Sequence, residues 1–78
     1  MVAFHQLPLL RAKQIVRALE RAGFLKDRQK GSHLVMWHPT KNTHTVVPIH
    51  SGEEIQKSLL VEILKEADIS IQDFLNLL

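Results

Sequence analysis

The chain of 78 residues predicts an α+β domain: one helix, three antiparallel strands, a second helix and a short terminal helix. Apolar side chains recur at helical spacing near residue 12 and again from residue 55. Between these stretches lie three short strand-like runs separated by turn residues. Strands joined by short turns pair as an antiparallel meander, and two helices can then cover one face of the three-stranded sheet.

The first helix rests on Ala12, Ile15, Val16 and Leu19, which follow the i, i+3, i+4, i+7 rule. Pro8 suits a helix entry, where its missing donor is not needed. Gly23 ends the helix by accepting a left-handed conformation. No Ser, Thr, Asp or Asn stands ahead of Arg11 to act as the N-cap. Residues 24–29 read as a first strand and Lys30-Gly31-Ser32 as a turn. The second strand is expected over His33–His38, with His33, Val35 and Trp37 on one face and Leu34, Met36 and His38 on the other. Both faces carry apolar groups, although the helices of so short a chain can cover only one. A partner is expected on the other, and the spacing does not say which face that is.

Residues 39–43 form a turn by composition, and a third strand follows over His44–Ile49. Pro48 marks that strand as an edge or a terminus, because proline cannot donate to the ladder. Ser51-Gly52-Glu53-Glu54 has the form of a capping box, ahead of an apolar stripe of Ile55, Leu59, Leu60, Ile63, Leu64 and Ala67. Ser70 and Asp73 repeat the cap pattern before a short last helix with Ile71, Phe74, Leu75 and Leu78 on one side. The α-β-β-β-α order with an appended helix is the layout of a double-stranded-RNA-binding-domain-like fold, and residues 1–78 are expected to form a single domain. Fold alone does not settle function.

Composition narrows the chemistry. There is no cysteine, which excludes disulfides, thiolate catalysis and cysteine-type zinc sites. No apolar run is long enough to span a membrane, and the first residues lack the pattern of a signal peptide. A cytoplasmic location is therefore expected. The net charge of +2 conceals a division along the chain. Residues 1–50 hold eight Lys and Arg against Glu20 and Asp27, whereas residues 51–78 hold two against six acids. One region of the surface is thereby suited to a polyanion. The competing account is random asymmetry on solvated helix faces.

Chemistry concentrates in Arg28-Gln29-Lys30-Gly31-Ser32-His33. Two cations precede a glycine turn, and an imidazole opens the strand that follows. A ribonuclease working without metal needs a base for the 2′-hydroxyl and an acid for the leaving 5′-oxygen. It also needs cations for charge developing on phosphorus. Imidazole serves in either proton-transfer role near neutral pH, and Arg28 and Lys30 can bind phosphate. Gly31 permits close backbone approach to a ligand. The bland alternative is that His33 hydrogen-bonds in the turn and merely begins a strand. Ser32 is no catalytic dyad with His33, because adjacent strand residues point to opposite faces; it is expected to cap the turn.

His38, His44 and His50 raise the question of a metal, but no spacing matches a zinc motif, and no metal or cofactor is expected. His50 is a candidate second proton-transfer group or phosphate ligand beside the second helix's N-terminus, or simply an exposed side chain. Trp37 and Phe24 could stack on bases, with core packing the stronger reading for both.

Four blocks in order resemble the HicA family of HicA–HicB toxin–antitoxin pairs. These are Ala18-Leu19-Glu20-Arg21-Ala22-Gly23-Phe24 and Arg28-Gln29-Lys30-Gly31-Ser32-His33, then Val46-Val47-Pro48-Ile49-His50 and Leu60-Val61-Glu62-Ile63-Leu64-Lys65-Glu66-Ala67. The resemblance implies a toxin that acts as a metal-independent endoribonuclease, an mRNA interferase. The histidine of its Gly-Ser-His motif, here His33, would be catalytic. From the residues themselves Arg28, Lys30, Gly31, Ser32 and His50 are expected to contact RNA, and the resemblance further implies that a HicB-type antitoxin protein would block the site. The sequence departs from the family at Ser58, where glycine is common, and at Ile49, where a basic residue is common. Two other readings stay open: a non-catalytic RNA-binding module, and a protein-interaction subunit whose open sheet face binds a partner and no nucleic acid.

Overall fold

The computed structural model describes residues 6–50 and 52–78. Its elements are β1 (Leu10–Arg11), α1 (Ala12–Arg21), β2 (Leu25–Lys30), β3 (His33–His38), β4 (Thr43–Pro48), β5 (Glu54–Ile55), α2 (Lys57–Ala67) and α3 (Ile71–Asn76). β2, β3 and β4 form an antiparallel sheet with β3 in the centre, and α1 and α2 pack against one face of it. The expected α-β-β-β-α arrangement is therefore the one observed. β3 has its expected limits; β2 starts one residue later than expected and ends one later, and β4 is shifted one residue toward the N-terminus.

A second, two-stranded pairing has no counterpart in the sequence reading. Leu10 lies opposite Ile55 and Arg11 opposite Glu54. This pairing moves the start of α2. The Ser51–Glu54 cap motif does not begin the helix; Glu54 and Ile55 are extended, and α2 starts at Lys57 after an extended Gln56. Leu10 and Ile55 are both buried, and burying two such side chains outweighs the roughly 1 kcal/mol of a local cap. Ser51 itself lies outside the described residues. Pro8 likewise precedes β1 and is not in the first turn of α1. The missing N-cap of α1 has a substitute: the Arg11 backbone N–H donates to Gln14 Oε1 at 3.0 Å, the returning half of a capping box.

The register resolves which sheet face is covered. Leu34, Met36, Thr45 and Val47 are buried in one core with Ile15 and Leu19 of α1 and Leu60, Ile63 and Leu64 of α2. Thr45 is the one buried polar residue among those described. Its hydroxyl faces α2, 3.2 Å from the Ile63 carbonyl and 3.1 Å from the Glu66 carboxylate, so the cost of burying it is offset.

His38 belongs to this covered side and is a structural residue. Its Nδ1 accepts the Lys41 backbone N–H at 3.1 Å, which leaves Nε2 to donate to the Ala22 carbonyl at 3.1 Å. Phe24 meets the ring edge-on, with centroids 5.2 Å apart. Gly23, just past α1, has φ of +100° and allows the imidazole to lie against its backbone; an added Cβ would sit 2.7 Å from His38 Nε2. Gly23→Ala combines left-handed strain with loss of that hydrogen bond and should cost about 2–3 kcal/mol, read as a lower urea midpoint with an unchanged m-value.

Candidate functional site

The second face of the sheet carries Leu25, Arg28 and Lys30 from β2, His33, Val35 and Trp37 from β3, and His44, Val46 and Pro48 from β4. Every one of them is exposed or only half-buried. The arrangement is built from the β2–β3 turn. Gly31 and Ser32 form a two-residue hairpin loop, with Lys30 and His33 directly paired across it. Gly31 has φ of +56° and Ser32 is not in the positive-φ region, the pattern of a type II′ turn with glycine first.

Two hydrogen bonds brace the loop: Gln29 Nε2 donates to the Gly31 carbonyl at 3.0 Å, and the Ile49 N–H donates to the Ser32 carbonyl. The second continues the β3–β4 ladder past Pro48, which has no N–H of its own. Among the described residues the Ser32 hydroxyl makes no hydrogen bond to cap the turn; backbone and Gln29 contacts take that role. A Cβ on Gly31 would meet nothing within 4 Å, so its requirement is the backbone angle and the loop tip stands open.

His33 is thereby fixed by backbone on both sides, opposite Lys30 on β2 and Pro48 on β4. Directly opposed side chains stand about 5 Å apart at Cβ, and diagonal ones about 7–8 Å. Lys30 is the direct neighbour of His33, and Arg28, opposite Val35, is the diagonal one. The imidazole of His33 is exposed and has no side-chain partner among the described residues. A rigidly mounted, solvent-facing imidazole with cations on the neighbouring strand can exchange a proton with the attacking hydroxyl or the leaving oxygen at a bound phosphodiester.

Arg28 carries a complication that the motif does not reveal. Its Nη1 lies 3.2 Å from Asp27 Oδ2. Both side chains are exposed, so the pair is worth about 0–1 kcal/mol and an arriving phosphate can displace the carboxylate. Asp27 is the extra residue of a β-bulge: the register shifts between Lys26 and Arg28.

His50 lies beyond β4 in different surroundings. It lines a shallow cleft of about 210 Å³ with Pro48, Glu53, Glu54, Ile55, Gln56 and Leu59. The same cleft holds Gln56, the N-cap of α2, and Leu59 of its first turn, so His50 shares it with the helix N-terminus and with the carboxylates of Glu53 and Glu54. The aromatic residues divide. Phe24 is in the core, whereas Trp37 is half-buried on the open face and stacks on His44, with centroids 6.1 Å apart and 19° between planes. Strand alternation had grouped Trp37 with His33; which side the helices cover was not legible.

Among the described residues, no three His, Cys, Asp or Glu side chains converge on a point that could hold a metal ion, and no helix is long and apolar enough to cross a membrane. No curated protein matches the chain. A family model described as HicA toxin of bacterial toxin–antitoxin matches residues 12–69. That span opens on the first residue of α1, includes the whole sheet and α2, and leaves α3 outside. With this match over most of its length, and with the Gly-Ser-His turn at the open end of the sheet, the chain belongs to the HicA toxin family.

Proposed function

We propose that the protein is an endoribonuclease toxin that cuts mRNA at His33. In the proposed step the 2′-oxygen attacks the adjacent phosphorus, the 2′-O–P bond forms and the P–O5′ bond breaks. The 2′-hydroxyl gives up its proton and the leaving 5′-oxygen gains one, His33 serving one of these transfers and solvent water the other, so that the products are a 2′,3′-cyclic phosphate and a 5′-hydroxyl. Arg28 and Lys30 hold the phosphate and oppose the charge developing on its oxygens. Gly31 and Ser32 bring backbone to the same corner, and His50 is assigned to a flanking nucleotide. A HicB-type antitoxin would neutralise the toxin by covering this sheet face. The observation that carries the reading is the direct pairing of His33 with Lys30 across a two-residue turn, with the imidazole exposed and without a side-chain partner among the described residues.

The test is incubation of metal-free protein with end-labelled RNA, with and without chelator. Cleavage that persists in chelator and leaves a cyclic phosphate supports the reading. Cleavage abolished by chelator points to a metal route. Salt-sensitive retention of RNA without cleavage points to the non-catalytic binding module, and no retention at low salt to a protein-interaction subunit.

Arg28 and Lys30 make a separate prediction. Arg28→Ala and Lys30→Ala should each weaken RNA binding. Each should also reduce the slope of log K against log salt by about 0.7, the value for one phosphate contact on a single strand. Fluorescence anisotropy across a salt series checks this, and an unchanged slope in both variants removes them from the phosphate site.

A further inference from the structure

On the other side of β2 lies a groove of about 460 Å³ between α1 and the sheet. Its wall is Lys13, Arg17 and Glu20, on successive turns of α1, faced by Lys26 and Gln29 of β2. Its floor is apolar, formed by Val16, Leu34 and Ile49. Lys13, Arg17 and Lys26 have no ion pair or hydrogen bond among the described residues, although Glu20 is close by. Three unpaired cations against one carboxylate make the groove attractive to an anion.

The bulge at Asp27 creates this arrangement. With regular alternation Lys26 would share the open face with Arg28 and Lys30. The extra residue shifts the register, so that Lys26 instead lies opposite Met36, on the side covered by helices. β2 is an edge strand of the sheet. It therefore carries cations on both faces, Lys26 toward the groove and Arg28 and Lys30 toward His33. A chain of phosphates that crosses this edge meets positive charge on both sides.

We infer that the α1–β2 groove is a distal RNA subsite, taking a nucleotide of the same single strand that is cut at His33. The base rests on Val16, Leu34 and Ile49, and its phosphates lie along Lys13, Arg17 and Lys26. The size of the groove, within the usual range of about 300–1,000 Å³ for small-molecule sites, suits a nucleotide. The apolar floor beneath a cationic rim fits a base joined to a phosphate better than either a free anion or an apolar peptide. This inference rests on the ribonuclease reading for its second half, the continuity with His33, and on the groove alone for its first.

The test compares the parent with Arg17→Ala and with Lys13→Ala/Arg17→Ala/Lys26→Ala. Lys65→Ala, at an exposed α2 cation whose ion pair among the described residues is with Glu62, serves as the charge-matched control for Arg17→Ala. On an RNA of about twelve nucleotides, a length within single-strand site sizes, the triple variant should raise KM about tenfold or more and leave kcat in place. It should also flatten the salt slope by about 2, for three lost contacts. A dinucleotide, whose single phosphate is the scissile one and which has none left for the groove, should be cut by the triple variant as by the parent. Equal effects of Arg17→Ala and Lys65→Ala, or an unchanged KM on the longer RNA, overturn the subsite. Binding of the same RNA to His33→Ala, with and without the triple substitution, tests the groove apart from catalysis. Lost affinity with a parent that does not cleave would keep the groove and remove the ribonuclease reading.

Discussion

His33→Ala is expected to lower RNA cleavage by about 10²–10⁴-fold, the usual contribution of a general acid or base, with thermal unfolding unchanged. The second half of that result gives the first its meaning. His33 faces solvent without a side-chain partner among the described residues, and such substitutions change stability by no more than about 0.5 kcal/mol. Lost activity could then not be assigned to lost fold. His38, at the other end of the same strand, is the internal control. It lies on the opposite face, with both ring nitrogens engaged and Phe24 against its edge. His38→Ala should lower the melting temperature and reduce activity only through the unfolded fraction. The assay is single-turnover cleavage of end-labelled RNA beside a circular-dichroism melt. A folded His33→Ala protein that cuts at the parent rate would sink the catalytic role.

These two histidines also show what the sequence could and could not convey. Alternation along His33–His38 separates them onto opposite faces, and the Gly31-Ser32 turn marks where the strand begins, so β3 was legible residue by residue. Which face would be covered was not, because that depends on where α1 and α2 come to rest. The pairing of Leu10 with Ile55 joins residues far apart in the chain and leaves no local pattern. The Ser51–Glu54 motif, a purely local signal, pointed to an earlier start for α2. At the site, the nearness of Arg28 and Lys30 to His33 follows from a hairpin that the glycine announces. The departure of Lys26 to the other face follows from a bulge at Asp27 that no composition rule signals. The α1–β2 groove depends on that bulge and was therefore invisible from spacing alone.

The largest expected effect on stability comes from Phe74→Ala, in the helix that lies beyond the family-matched span. A helix of six residues is too short to persist alone. The Ser70 hydroxyl caps α3 by accepting the Asp73 N–H at 3.0 Å, worth about 1 kcal/mol. Arg21 of α1 donates to the Leu77 carbonyl at 2.7 Å. Neither contact can replace the side chain that reaches the core: Phe74 is 0% exposed and packs in the same cluster as Leu60 and Ile63. Truncating a buried Phe to Ala costs about 3–5 kcal/mol, whereas a chain of this length has only about 4–12 kcal/mol in total. Phe74→Ala should therefore populate the unfolded state at physiological temperature, while Ser70→Ala should shift the urea midpoint only slightly. If the Phe74→Ala midpoint falls by less than 1 kcal/mol equivalent, roughly the cost of losing a helix cap, α3 is an appendage to the domain and not part of its core. If it falls as expected, the domain requires about nine residues more than the family match covers, and a truncation after α2 should lose RNA cleavage through loss of fold, with His33 still in place.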